Sequence, residues 1–183
     1  MESSSHWSTF STEGAGMSKI AVISDIHDHL HHLAPVLSDI NQQGADVLLV
    51  CGDLCAPFVV AELGQAFSAP IHIVEGNNDG DGRLIRQVAG GFSQITLHGI
   101  YAELEVEGTK LAMIHYPEPA RRIAESGAFS LVAYGHDHKA FQQRGAWGWL
   151  VNPGEVMGRF GEVSWGLYDT ASDLYQRRLV PQL

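Results

Sequence analysis

Short apolar runs alternate with helically spaced apolar positions along the first half of the chain. The runs Lys19–Ser24, Asp46–Cys51 and Pro70–Glu75 are rich in β-branched residues and predict three buried strands. Between them, apolar positions at helical spacing predict one helix over His29–Gln43, and a second helix is predicted over Pro57–Phe67. Strands that alternate with helices indicate parallel pairing through crossover connections.

The second half changes to hairpins and short strands. After a short helix over Gly82–Ala89, the runs Ile95–Val106 and Lys110–His115 are predicted to form a hairpin, because Glu107–Thr109 is a turn sequence. Beyond it we predict a helix, a buried strand and a terminal meander. These lie at Pro119–Ser126, at Leu131–Tyr134, and at 150–154, 163–169 and 174–180. We expect two sheets packed face to face with helices outside.

Composition limits the classes of partner. The 183 residues fit one domain, 45% of them are hydrophobic, and the formal net charge is −10. No run of Lys and Arg is present, which argues against binding of extended nucleic acid. An anionic substrate would need positive charge from bound cations.

Neither a leader nor a membrane span is predicted. Residues 1–18 lack the pattern of a secretory signal, and their Ser, Thr and Gly content is typical of disorder. No apolar run approaches the ~20 residues of a membrane helix. Cys51 and Cys55 are expected to be reduced and structural. We therefore expect a cytoplasmic protein with a disordered tail over 1–18 and one domain over 19–183.

Metal-ligand residue types follow the ends of five predicted strands. They are Asp25 and His27, Asp53, Asn77, His115, and His136 with His138. The carboxyl ends of parallel strands line the ligand crevice of open α/β sheets, so these residues should converge. Members of each pair are two positions apart, and in extended chain they would point to the same side.

The donor set indicates the kind of metal. Nitrogen and oxygen ligands without thiolate favour manganese, iron, zinc or nickel over calcium. Seven ligands exceed the need of one ion, whereas two ions sharing a carboxylate, ~3.5–4 Å apart, would use them all. We expect two divalent ions, with manganese first and nickel, iron, zinc or magnesium as alternatives.

The segments D-x-H, G-D, G-N-x-D, H and G-H-x-H, in this order, resemble the calcineurin-like metallophosphoesterases. The compact length resembles their small YfcE-like subgroup, and the resemblance covers the chain from Lys19 to the C-terminus. The resemblance implies the metallo-dependent phosphatase fold, a four-layer α/β-β/α sandwich of two mixed β-sheets flanked by helices. It also implies a nucleophilic hydroxide that bridges the two metals.

The resemblance implies a role for each ligand. The first metal would be bound by Asp25, His27 and His138, and the second by Asn77, His115 and His136, with Asp53 bridging them. Asp53 and Asn78 would be the catalytic residues. Asp79 is expected to hydrogen-bond a ligand or loop backbone instead of binding metal. The remaining histidines are expected on a solvated helix face or in structural roles. They are His29, His31, His32, His72 and His98.

Three positions depart from the family pattern. Asn78 stands where a general-acid His is frequent in the family, and an Asn amide cannot donate a proton to the leaving group as an acid. Tyr116 stands where Gly often follows the ligand His, which would narrow the pocket. Glu155 replaces a common Ser, which would weaken binding of dianionic phosphates.

Three functions remain open. The leading prediction is a phosphodiesterase acting on small phosphoesters, without membrane or extended nucleic-acid partners. The alternatives are a non-catalytic protein-interaction scaffold like the retromer subunit Vps29, and a metal-dependent nuclease. Whether the chain forms a homo-oligomer also stays open.

Overall fold

The computed structural model describes residues 17–181, so most of the predicted disordered tail lies outside the described residues. One sheet contains six strands. They are β1 (Lys19–Ile23), β2 (Val47–Val50), β3 (Ile71–Ile73), β4 (Ile95–Leu97), β10 (Ser164–Asp169) and β11 (Leu174–Leu179). Their order is β11-β10-β1-β2-β3-β4. Strands β1 to β3 run parallel as predicted, and β4 continues the parallel set beside β3.

The second sheet contains five strands in mixed orientation. They are β5 (Tyr101–Val106), β6 (Thr109–Ile114), β7 (Leu131–Ala133), β8 (Phe141–Gly145) and β9 (Gly148–Asn152), in the order β5-β6-β7-β9-β8. The predicted hairpin is the antiparallel pair β5–β6, in which Val106 pairs with Thr109. Strands β6, β7 and β9 run parallel to one another.

Helices cover the outer face of each sheet. They are α1 (Leu30–Gln42), α2 (Pro57–Ala66), α3 (Gly82–Ala89) and α4 (Pro117–Glu125). Three apolar clusters separate four layers: one between α1–α3 and the first sheet, one between the sheets, and one between the second sheet and α4. The predicted α/β-β/α sandwich is confirmed. No helix in the described segment is long and apolar enough to cross a membrane.

Burial of both faces explains why the strands read as continuous apolar runs. In β1, Ile20 and Val22 face the other sheet, whereas Ala21 and Ile23 face the helices, and all four are fully buried. Alternate positions enter different cores because side chains alternate across a strand. The strands therefore cannot shift by one residue without moving their larger side chains to the wrong core.

Two sequence predictions about the strands are wrong. Ile95–Val106 is two strands in different sheets, since the chain leaves β4 at His98 and turns at Gly99, whose φ is +73°. The terminal meander is also divided, because the run at 150–154 belongs partly to β9 in the second sheet. Only β10 and β11 pair as expected, with β10 beside β1.

Candidate metal centre

The seven predicted ligands lie in the loops that follow β1, β2, β3, β6 and β7. At one end of the cluster, His27 Nε2 lies 3.8 Å and His138 Nε2 3.5 Å from Asp25 Oδ1. The rings of His27 and His138 are stacked with centroids 5.0 Å apart. Two imidazole nitrogens and a buried carboxylate thus converge on one point, as a transition-metal site requires.

A second set of donors converges at the other end. Asn77 Oδ1 lies 3.1 Å from His115 Nε2 and 2.8 Å from His136 Nδ1. The backbone N–H of His136 donates to the Asp25 carboxylate, at 3.1 Å from Oδ2, which ties this set to the first. The predicted pair His136 and His138 therefore divides between the two ends of the cluster.

Asp53 lies between the two sets. Its Oδ2 is 3.4 Å from His27 Nε2 and 3.4 Å from His115 Nε2, and the side chain is 1% exposed. Asn78 donates to it twice, from its backbone N–H to Oδ1 and from Nδ2 to Oδ2, both at 2.8 Å. Burial alone would raise the pKa of Asp53, but its interactions with His115 and Asn78 outweigh burial and hold the pKa far below its usual range.

Hydrogen bonds behind the histidines leave their inner nitrogens available. His115 Nδ1 donates to the Cys51 carbonyl at 2.7 Å, and because a carbonyl only accepts, Nε2 of His115 has a free lone pair. His27 Nε2 is buried and makes no hydrogen bond within residues 17–181. An unpartnered buried nitrogen beside two carboxylates is explained by a cation, so the residues fit a divalent metal.

The electrostatics of the histidines follow from the same carboxylates. The Asp25 carboxylate raises the pKa of His27 against the effect of burial, and Asp53 adds to this. Burial lowers the pKa of His115, but Asp53 and the Cys51 carbonyl outweigh it, so the net shift is upward. A bound cation would relieve the uncompensated negative charge that produces both upward shifts.

Glu155 contacts the proposed ligand His138, and the sequence did not predict this contact. Its side chain is 1% exposed, and Oε2 lies 2.6 Å from His138 Nδ1. Its Oε1 accepts from the backbone N–H groups of Phe160 at 2.6 Å and Gly161 at 2.7 Å. Both carboxylate oxygens of Glu155 accept hydrogen bonds from protein donors. The weakening of phosphate binding stays a prediction. The sequence signal was only an acidic residue in place of a frequent Ser.

The ligand loops are held in left-handed backbone conformation, not in the extended conformation that was predicted. The residues with positive φ include Asp25 (54°), His27 (46°), Asp53 (54°), His136 (77°) and His138 (58°). Such conformations cost about 1–3 kcal/mol each in non-glycine residues and gather at functional sites. The members of each pair therefore reach the cluster through curled loops instead of through strand alternation.

Two glycines allow the loops to approach this closely. A Cβ at Gly76 would overlap the Asp53 carboxylate and backbone, and a Cβ at Gly135 would overlap the Ser24 hydroxyl. Neither residue has positive φ. Glycine is therefore required at these two positions for steric clearance and not for an unusual dihedral angle.

Asp79 connects the loops instead of facing the metal position. Its Oδ2 accepts from the N–H of Gly76 at 2.6 Å and of Asp53 at 3.2 Å, and Oδ1 accepts from Cys55 at 2.8 Å. The predicted role in loop hydrogen bonding is confirmed. Asn152 acts similarly, donating to the Gly135 carbonyl at 3.1 Å.

The remaining histidines and cysteines lie outside the proposed ligand set. His72 Nδ1 and His98 Nε2 are 2.9 Å apart, and burial lowers the pKa of both, which agrees with structural roles. His32 Nδ1 donates to the Met157 carbonyl at 2.8 Å. Both cysteines are free as predicted, and burial raises the pKa of Cys55 to about 12, so it is a thiol at neutral pH.

Two mixed sheets whose strand ends present a cluster of Asp, Asn and His define a metal-dependent hydrolase of phosphate esters. The chain matches the calcineurin-like phosphoesterase superfamily domain over residues 18–173 and belongs to that family. The predicted family and enzyme class, a phosphoric ester hydrolase, are confirmed. Divalent metals follow from the family, and the donor groups above are their candidate ligands.

Known relatives cover nearly the whole chain. It is similar to the phosphodiesterase MJ0936 of Methanocaldococcus jannaschii, with 26% identity over 161 residues, 86% of this chain and 96% of the relative. It is also similar to the structure of a novel archaeal phosphodiesterase, with a TM-score of 0.81 and 25% identity over 88% of this chain and 99% of that one.

Two further structures share the fold alone. YfcE, a phosphoesterase from E. coli, has a TM-score of 0.64 and 20% identity, and the match covers 89% of this chain and 100% of YfcE. Vps29 of Entamoeba histolytica complexed with zinc has a TM-score of 0.58 and 15% identity over 88% of this chain and 98% of its own. Both agree with the predicted fold.

Proposed function

We propose that the protein is a dinuclear metal-dependent phosphodiesterase that hydrolyses small phosphodiesters. The observation that carries the proposal is the position of Asp53, 3.4 Å from the inner nitrogens of His27 and His115, which belong to different ends of the cluster. A buried carboxylate between two donor sets is the arrangement that holds two ions together. The names of its archaeal relatives supply the diester as substrate class.

The ligands divide between the two ions by position. We assign one ion to Asp25, His27 and His138 and the other to Asn77, His115 and His136, with Asp53 shared. When bound, the cations stabilise the charge of a transferring phosphoryl group and lower the pKa of bound water. Manganese is the first candidate, and nickel, iron, zinc and magnesium are the alternatives. The mixed nitrogen and oxygen donors support a transition metal over calcium.

The protein residues contribute orientation more than proton transfer. Asn78 fixes both oxygens of Asp53 through its two hydrogen bonds, while its amide has no proton to give in the useful pH range. The buried position of Asp53 and His115 keeps bulk water away from the inner atoms of the cluster. The catalytic assignment is therefore Asp53 as shared ligand and Asn78 as its positioning partner.

The finer features of the function are also proposals. The net charge of −10 supports a small substrate over extended nucleic acid, and the reduced cysteines support a cytoplasmic location. The family match over 18–173 supports one domain over 19–183. We leave open a homo-oligomer, and we favour the enzyme over a Vps29-like scaffold because all seven ligand-type side chains converge.

A panel of phosphoesters tests the proposal. We expect purified protein to hydrolyse 4-nitrophenyl diesters faster than monoesters when supplied with Mn, Ni, Mg or Zn, and not without metal. Elemental analysis of loaded protein should give about two ions per chain. Absence of turnover with every metal, together with a stoichiometry near zero, would contradict the enzyme and favour the scaffold.

A further inference from the structure

Two aromatic rings border the metal-ligand cluster at its opposite ends. The Phe160 ring stands edge-on to His138, with centroids 5.2 Å apart and an interplanar angle of 84°. The Tyr116 ring stands edge-on to His115 at 5.2 Å and 77°, and lies 5.1 Å from His136. Phe160 is 71% exposed and Tyr116 is 36% exposed. Each ring thus offers open aromatic surface beside a different set of ligands.

Local contacts fix the backbone of both aromatic residues. The N–H of Phe160 donates to the buried Glu155 carboxylate at 2.6 Å, and the Arg159 guanidinium lies 5.5 Å above its ring. Tyr116 precedes Pro117 at the start of α4, with φ −89° and ψ 136°, the extended region to which a residue before proline is restricted. A ring on a fixed backbone loses little entropy when it binds a ligand.

We propose that Phe160 and Tyr116 bind planar aromatic rings on the two ester arms of the substrate. This inference rests on the proposed phosphodiesterase function. A phosphate held beside Asp53, at the middle of the cluster, directs its two arms away from phosphorus in different directions, and a ring lies at each end. Aromatic rings attract one another at centroid separations of 4.5–7 Å, and any planar ring suffices. The preferred substrates are diesters with aryl, benzyl or nucleobase-bearing arms, not dialkyl esters.

The test compares two diesters that differ only in aromaticity. Benzyl 4-nitrophenyl phosphate and cyclohexylmethyl 4-nitrophenyl phosphate have the same leaving group, and in both a methylene group separates the second ring from phosphorus. The comparison therefore isolates ring stacking from leaving-group chemistry and from bulk. For manganese-loaded wild-type protein we expect kcat/KM to favour the benzyl ester by about 2- to 10-fold.

Two variants locate the effect. Phe160→Leu and Tyr116→Leu keep an apolar side chain but remove the ring. We expect one of them to reduce the benzyl preference toward 1, and the other, which meets the nitrophenyl arm, to slow both esters by the same factor. Phe141→Leu is the matched control, because Phe141 is also 36% exposed but its ring faces Tyr134, and it should keep the wild-type ratio. Metal content is measured for every variant.

A binding measurement provides a readout that needs no turnover. Benzylphosphonate and cyclohexylmethylphosphonate cannot be hydrolysed at their P–C bonds, and calorimetry should give tighter binding of the benzyl compound. Normal diester turnover with a preference of 1, or a preference that survives in both variants, would overturn the inference. Absence of turnover with every metal would overturn the proposed function instead, and a phosphonate Kd ratio of 1 would then overturn this inference separately.

Discussion

Replacement of Glu155 by Gln should impair one metal site through a single proton. The Glu155 carboxylate accepts three hydrogen bonds, from His138 Nδ1 at 2.6 Å and from the N–H groups of Phe160 and Gly161 at 2.6 and 2.7 Å. Gln has nearly the same shape, but one oxygen becomes an NH₂ donor. The substitution therefore alters which partner each end of the side chain can serve.

The amide has two orientations, and neither restores the native pattern. If its oxygen faces the N–H groups of Phe160 and Gly161, its NH₂ faces His138 Nδ1, which must then be unprotonated. The imidazole proton moves to Nε2, the atom 3.5 Å from Asp25 Oδ1 that we assign to metal binding. The reverse orientation sets NH₂ against two N–H donors, at about 1–3 kcal/mol for each unsatisfied group.

The expected loss is confined to the first metal. Removing an outer partner of a ligand histidine lowers metal affinity by about 10- to 100-fold, or about 1.4–2.7 kcal/mol. The second metal should keep its affinity, because His115 is oriented by the Cys51 carbonyl at 2.7 Å and not by Glu155. The free energy of unfolding of the metal-free variant should change less than the affinity for the first metal, because the oxygen of the introduced Gln can still accept hydrogen bonds from the N–H groups of Phe160 and Gly161.

Calorimetric titration of metal-free protein with manganese or zinc measures the two sites separately. Glu118→Gln is the matched control, because the Glu118 side chain is 67% exposed and its carboxylate pairs with Arg122 instead of with a histidine. Urea unfolding verifies that both variants are folded. Wild-type affinity at both sites in Glu155→Gln would refute the tautomer argument and, with it, the assignment of His138 Nε2 as a ligand.

Further predictions concern Asp53, Asn78 and protons. Asp53→Asn and Asp53→Ala should lose turnover and both ions more severely than His27→Ala; near-normal kcat and metal content in Asp53→Ala would contradict the shared-ligand assignment. Because Asn78 cannot act as an acid, log kcat for a series of aryl diesters should fall steeply with leaving-group pKa; a flat line with chemistry rate-limiting would reveal another acid. The pKa values of His27 and His115 are higher in the folded protein than in the unfolded chain, so protonation of these residues stabilises the metal-free fold. This stabilisation is complete below about pH 6.5 and is lost as the pH rises through the pKa values of the folded state. Metal affinity should rise over that interval with proton release, which calorimetry in buffers of different ionisation enthalpy detects.

The sequence predicted the parts of the fold that depend on local pattern. Strand β2 and the part of β1 that follows Lys19 are apolar at every position because both of their faces are buried, and this pattern can be recognised from the sequence alone. The break between β4 and β5 could not be predicted from the sequence, because strand-forming residues flank it on both sides and only Gly99 marks the turn. Which sheet a strand joins depends on contacts far away in sequence, such as Lys19 with Asp169.

The candidate site was predicted as a set of residue types but not as a geometry. Asp25 with His27, and His136 with His138, were expected to align by strand alternation, yet all four have left-handed backbones. The contact between Glu155 and His138 spans 17 residues of sequence. It forms because the loop that follows β9 returns toward the loop that follows β7. No local pattern encodes that return, so a sequence can name the ligands but not the residues that orient them.

Asn78 shows how the same geometry also shapes the chemistry. Its backbone N–H and side-chain Nδ2 both serve Asp53, so the side chain is directed toward the shared ligand instead of toward a leaving group. A proton donor at this place typically contributes ~10²–10⁴-fold to rate. Without it, departure of the ester oxygen depends on the cations and on the stability of the leaving group itself. Activated diesters should therefore be the substrates that this arrangement of residues hydrolyses best, whatever ring occupies the flanking sites.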